Sequence, residues 1–157
     1  MSNVQPVPEG LATVVPRLVF PRKQGSKAVD FYVAAFGAEV VDEPHLMPDG
    51  QLIHAHVRIG DASVFLTDEG EEGVAPVTAG GQVTAIMAVH VPDVDALWQR
   101  ATGAGCTVIF PLADQFYGDR SGRVRDAFGH QWMLTTHIED VSRDEMDRRM
   151  QQMSDQG

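Results

Sequence analysis

Cysteine is nearly absent from this chain: Cys106 stands alone among 157 residues. An intrachain disulfide framework is therefore excluded, and the cytoplasm, a reducing compartment, is the expected setting. Cys106 opens an apolar run, CTVIF, where a buried and inert thiol is expected. Positive charge is scarce as well. Only 12 Lys and Arg face 22 Asp and Glu, a net charge of −10, which argues against nucleic acid or an anionic membrane surface as partner. No apolar run reaches the ~20 residues of a membrane-crossing helix. The opening residues lack a cationic stretch followed by an apolar core, so no secretory leader is expected. No Gly-x-Ser-x-Gly, no Cys/His signature and no phosphate-cradling glycine loop before a helix occurs. What remains has 43% hydrophobic and 22% charged residues, which suits one globular domain or two small fused modules.

The densest chemistry lies in residues 114–137, DQFYGDRSGRVRDAFGHQWMLTTH. Turn signals at Gly118-Asp119, Ser121-Gly122 and Phe128-Gly129 punctuate it into three strands. Arg123 and Arg125 are two apart and share a strand face. Upstream, residues 14–20 read as a strand with Pro16 at an edge or distortion. Ser26 is positioned to cap a helix that runs through Phe36 and stops at Gly37, with Ala28, Tyr32, Ala35 and Phe36 as its apolar stripe. A short strand follows at 38–42, then a Pro48-Asp49-Gly50 turn. Residues 52–59 alternate, placing Ile53, Ala55, Val57 and Ile59 on one face and His54, His56 and Arg58 on the other. Gly60-Asp61 turns the chain into a return strand at 62–67.

The second half repeats this plan. A strand at 83–91 leads into a helix capped by Asp93, with Val94, Leu97, Trp98, Ala101 and Ala104 at helical spacing and Gly105 at its end. A strand opens at Thr107, and the last runs over 130–138. Gly37 and Gly105 are 68 positions apart, the signature of a duplicated βαβββ unit. A tail helix is marked by Ser142 with Glu145, and by Val141 with Met146. Its Met146, Met150 and Met153 form a stripe expected to dock on the body or on a second copy.

The segments VVPRLVF, AVDFYVAAFGAEV, HAHVRIGDASVFLTDE, VPDVDALWQRATGAGCTV and ADQFYGDRSGRVRDAFGHQWMLTTHIEDVS resemble the vicinal oxygen chelate superfamily. The likeness is to the branch grouping glyoxalase- and bleomycin-resistance-like proteins with PhnB-like proteins. That resemblance implies an α+β fold: two tandem βαβββ modules forming an open, barrel-like sheet around a cavity, usually in a homodimer. Residues 1–12 are then a flexible arm, 13–69 and 83–138 the modules, 70–82 a linker and 139–157 the tail. In metal-dependent members four strand positions supply His, Gln or Glu. Their counterparts here are Val15 (or Arg17, if the 21–25 loop shifts the register), Phe65, Ile86 and Met133. None of these ligates a divalent ion, so no metal or cofactor is expected. Val64, Leu66, Trp132 and Leu134 should face the helices, leaving Phe65 and Met133 on the opposite face.

The expected ligand contacts are Arg17, His54, His56, Arg58, Phe65, Ile86, Phe110, Tyr117, Arg123 and Met133. Phe65, Phe110, Tyr117 and Met133 offer stacking and apolar contact, and arginine clamps anions or stacks on rings. Two strand histidines two apart also suit a metal, or a bond to a neighbouring loop. Arg120 and Arg125 are expected to pair internally with Asp114, Asp119 or Asp126. Phe116 and Tyr117, if extended, face opposite ways, one to the core and one to the cavity. His130 reads as a turn residue, and His90 and His137 have no clear partner. The reading is a metal-independent binder of a hydrophobic or planar aromatic, antibiotic-like molecule, with no catalytic residue. The alternatives are a glyoxalase-, lyase- or isomerase-type enzyme using His54 and His56 on an α-oxo substrate, and a dimer with a vestigial cavity.

Overall fold

The computed structural model describes residues 4–78 and 80–155. The first three residues of the expected arm, Ala79 of the expected linker and the last two of the expected tail lie outside them. Contacts divide the chain into two compact units, 1–81 and 82–157.

In unit 1 the order is β1 (Arg17–Phe20), α1 (Gly25–Phe36), β2 (Glu39–Val40), β3 (His45–Leu46), β4 (Leu52–Ile59) and β5 (Ala62–Asp68). The strands form a sheet in the order β1-β5-β4-β2, with β3 also on β4. β1 runs parallel to β5, a pairing made possible by the α1 crossover. Leu18, Phe20, Ala55, Val57, Val64 and Leu66 point to one face and are buried with Ala28, Val29, Tyr32, Ala35 and Phe36 of α1. Tyr32 sits between Phe20 and Phe36, at ring-centroid distances of 6.1 and 5.6 Å. Burying such a side chain fully contributes roughly 1.5–3 kcal/mol.

α1 starts differently from the expected Ser26 cap. The helix begins at Gly25, and no side chain of its N-cap, Gln24, bonds to it. Asp68 at the end of β5 takes that role, accepting from the N–H groups of Gly25 and Lys23 at 2.7 Å and of Leu52 at 2.8 Å. The packing there excludes any Cβ at Gly25, which would lie 2.5 Å from Leu52 Cδ2 and 2.7 Å from Asp68 Oδ1. The alternation of β4 also slips at its start. Leu52 is buried at 0% exposure whereas Ile53 is exposed at 44%, because the β3–β4 register shifts between His45 and Leu46 and inverts the faces. β3 itself was not expected, being two residues long.

Unit 2 has β6 (Ile86–His90), α2 (Val94–Ala104), β7 (Thr107–Asp114), β8 (Asp119–Arg125), β9 (Gln131–His137) and α3 (Arg143–Ser154). The sheet order is β6-β9-β8-β7, with β6 parallel to β9, so the topology of unit 1 recurs. Pro111 is tolerated because β7 is an edge strand whose register shifts around it. Trp132, Leu134 and Val124 are buried. The repeat is visible atom by atom. Both helices end on a left-handed glycine, Gly37 and Gly105. Where Asp68 holds the start of α1, Thr136 accepts from the Val94 N–H at 2.9 Å at the start of α2. These two residues are again 68 positions apart.

α3 is capped by Ser142, which accepts from Glu145 N–H at 3.3 Å, as expected. Arg149 ties it down, donating to Glu139 at 2.7 Å and to the Phe116 carbonyl at 3.1 Å. Met150 and Met153 remain exposed, beside an open groove lined by Phe116 and α3. Among the described residues no helix is long and apolar enough to cross a membrane.

Candidate functional site

In unit 1 the face turned away from α1 collects the polar and aromatic residues of β1, β4 and β5. Pairing places Arg17 beside Phe65 across β1 and β5, and His56 beside Phe65 across β4 and β5. The Phe65 ring is flanked edge-on by both imidazoles, with centroids 4.9 Å from His54 and 5.0 Å from His56. His54 and His56 therefore do share a face. His45 adds a third ring, 6.3 Å from His54.

The two histidines differ in what they hold. His56 is buried, its Nε2 bonded to Ser63 Oγ at 2.8 Å and its Nδ1 3.8 Å from Asp42. His54 has its pKa lowered, first by burial and then by the Arg17 charge and its two neighbouring histidines. Arg17 is exposed and pairs with Glu71 at 3.3 Å. Arg58, half-buried on the same face, lies opposite Glu39 and Ser63 in the ladder.

In unit 2 one row crosses the sheet: Ala88 beside Met133, Met133 beside Arg123, Arg123 beside Phe110. The Arg123 guanidinium stands over the Phe110 ring at 5.0 Å. Phe65 and Met133 occupy matching places, each on the last strand of its unit and on the face away from the helix. The first-strand position beside each is Arg17 in one unit and Ala88 in the other. Val15 precedes β1, and Ile86 pairs with Gln131, two residues from Met133. The residues paired with Phe65 and Met133 are thus Arg17, the alternative first-strand position, and Ala88. Gln131, half-buried on the same face, was missed because nothing local distinguishes it.

Three further expectations change. Phe116 and Tyr117 are not extended; they lie in the β7–β8 turn and pack edge-to-face on each other at 5.3 Å. Tyr117 is thereby placed at the Asp114–Arg120 end of the hairpin, beyond the Phe110–Arg123 pair. Arg120 does pair with Asp114 (2.9 Å), and with Asp95 at 2.8 Å, but Arg125 pairs with no carboxylate among the described residues. Asp126 faces the other way, accepting from Trp132 Nε1 and His130 N–H at 3.0 Å and Phe128 N–H at 2.9 Å. His137 has two partners, Asp119 at 2.7 Å and Asp140 at 2.8 Å. Those carboxylates, Asp140 first, raise its pKa. Cys106 is buried, and burial pushes its thiol up to about 12, so it is not a nucleophile at neutral pH.

The metal that the fold family implies does not fit the residues found here. The matching positions carry Arg17, Phe65, Ala88 and Met133, of which none is a divalent-ion ligand. Among the described residues no group of three or more His, Cys, Asp or Glu is arranged to hold one.

Residues 14–134 match the model of the Glyoxalase/Bleomycin resistance protein/Dioxygenase superfamily, and the chain belongs to that family. An uncharacterized protein of Mycobacterium tuberculosis is 43% identical over 136 residues, covering 83% of this chain and 78% of its own. The crystal structure of TioX from Micromonospora sp. ML1 is 31% identical with a TM-score of 0.64, covering 81% of this chain and 99% of that one. The PhnB protein of Bacillus cereus, at 17% identity and a TM-score of 0.63, covers 80% of this chain and 99% of its own and shares the fold.

Proposed function

We propose that this protein binds and sequesters a small hydrophobic or planar aromatic molecule, of the antibiotic-like kind, without a metal. The observation that carries the reading is Phe65, held between His54 and His56 at 4.9 and 5.0 Å where a metal enzyme of the family would place a ligand. Aromatic, imidazole and guanidinium groups on one sheet face favour stacking over hydrolytic chemistry. The family's own description includes bleomycin resistance proteins, and self-resistance is the concrete form of the role. The reading places the protein in the cytoplasm as a homodimer. A monomer in sedimentation at high micromolar concentration would remove the dimer from it.

The test is equilibrium titration with two probes, metal-free bleomycin and 8-anilinonaphthalene-1-sulfonate. Saturable binding of one at micromolar affinity, weakened about tenfold by Phe65→Ala, is expected. Absence of saturable binding by both would overturn the reading. One observation favours a second reading, a lyase or isomerase acting on an α-oxo substrate. The lowered pKa of His54 keeps it neutral, as a general base must be. Turnover of methylglyoxal hemithioacetal abolished by His54→Gln would place that reading first.

A further inference from the structure

The unit 2 face away from α2 carries positive charge that nothing among the described residues neutralises. The chain has 22 carboxylates, and Arg17, Arg22, Arg120, Arg148 and Arg149 each hold at least one. Arg123 and Arg125 hold none among the described residues, and the Nε of each is buried with no hydrogen-bond partner. A guanidinium N–H removed from water without an acceptor is costly, so a ligand that supplies an acceptor there gains affinity. Two orphans sit on one strand face, about 7 Å apart along it, so their charges also repel unless an anion lies between them. Asp126, next in sequence, does not serve: it accepts instead from the Phe128 and His130 N–H groups and from Trp132 Nε1.

The surroundings say what the anion is attached to. The Arg123 guanidinium is held over Phe110, and Phe110 is itself 56% exposed, an unusual state for so large an apolar ring. On the other side of Arg123 stand Met133 and then Ala88, an apolar strip. Gln131, beside Arg125 in the ladder, adds an amide. A third orphan shares the strand face of Met133: the hydroxyl of Thr135, a residue at 0% exposure.

We propose that Arg123 and Arg125 form an oxyanion clamp for a planar aromatic acid, whose ring is received by Phe110 and Met133 and whose carboxylate lies on the two guanidiniums. The proposal rests on the aromatic-binding reading above and adds the charge of the ligand. Guanidinium is suited to this because its planar fork donates two parallel bonds to a carboxylate and does not lose its charge.

Calorimetric titration of the full chain with 2-naphthoate and its neutral isostere 2-naphthamide tests it. Wild type is expected to prefer naphthoate by about tenfold. Arg123→Gln and Arg125→Gln should each remove most of that preference, Arg123→Lys should retain part of it, and added NaCl should narrow it. If Arg123→Gln does not fold, Arg125→Gln decides. Equal affinity for the two probes, or a preference that survives both glutamine substitutions, overturns the clamp while leaving the aromatic reading standing. Retention of neither probe overturns both.

Discussion

The two units share a topology and a core but not a working face. Toward the helices the repeat holds closely: Val64 and Leu66 in one unit answer to Trp132 and Leu134 in the other, and all four are buried. On the opposite face, unit 1 places two histidines around Phe65, and one of them is satisfied by Ser63. Unit 2 places Arg123 beside Phe110 and Met133 and Arg125 beside Thr107 and Gln131, and both Nε atoms lack partners among the described residues. The face packed on the helix is constrained by volume and shape complementarity, so a duplicated core changes slowly. The other face is constrained by whatever it contacts, and there the two copies have parted. The proposed binding roles therefore rest on the residues by which the two units differ.

The same contrast appears at the helix starts and yields the largest expected effect. Asp68 is buried and accepts three backbone N–H groups, whereas Thr136 accepts one and donates one, to the Val91 carbonyl at 2.7 Å. Asp68→Ala leaves three donors unpaired and should destabilise by about 3 kcal/mol or more, and Thr136→Val by about 1 kcal/mol. Urea denaturation of both variants checks this, and equal losses would erase the distinction. Next in size is ligand affinity: Phe65→Ala should weaken the binding of 8-anilinonaphthalene-1-sulfonate about tenfold, as read by fluorescence titration.

A smaller effect separates the histidines. His54 is held below its ordinary pKa of 6.5, mainly by burial, and His137 above it by Asp140 and Asp119. Their contributions to stability therefore run in opposite directions. A raised folded pKa, as at His137, contributes stability that is full below 6.5 and fades as pH rises through the folded value. A depressed one, as at His54, contributes above 6.5 and fades as pH falls through the folded value. Proton NMR titration should show His54 releasing its proton at lower pH than His137. His137→Gln should lower thermal stability on the acid side, where the His137 contribution is full, and leave the alkaline side nearly unchanged. Least of all, Arg120→Ala should leave the urea midpoint nearly unchanged, since its ion pairs with Asp95 and Asp114 are exposed.

Local pattern made much of this legible in the sequence. The duplication was readable from Gly37 and Gly105, and the sharing of a face by His54 and His56 from period-two alternation. What periodicity does not encode is where a side chain reaches across the sheet. Asp68 holds a helix start 43 residues away, so the nearby Ser26 was the only visible cap. Arg125 and Asp126 are adjacent, and adjacency suggested a pair, yet neighbours on a strand point to opposite faces. Asp126 went to Trp132 and the turn. Ile53 fitted the alternation until the register shift opposite His45 and Leu46 displaced it. Tyr117 was placed by assuming an extended chain where the chain turns.

Native mass spectrometry of protein purified without chelator or nickel resin, sprayed with a small excess of 8-anilinonaphthalene-1-sulfonate, tests the central claim most directly. The account predicts a chain free of stoichiometric metal that carries the aromatic probe. One divalent ion per chain, or no probe retained, would contradict it.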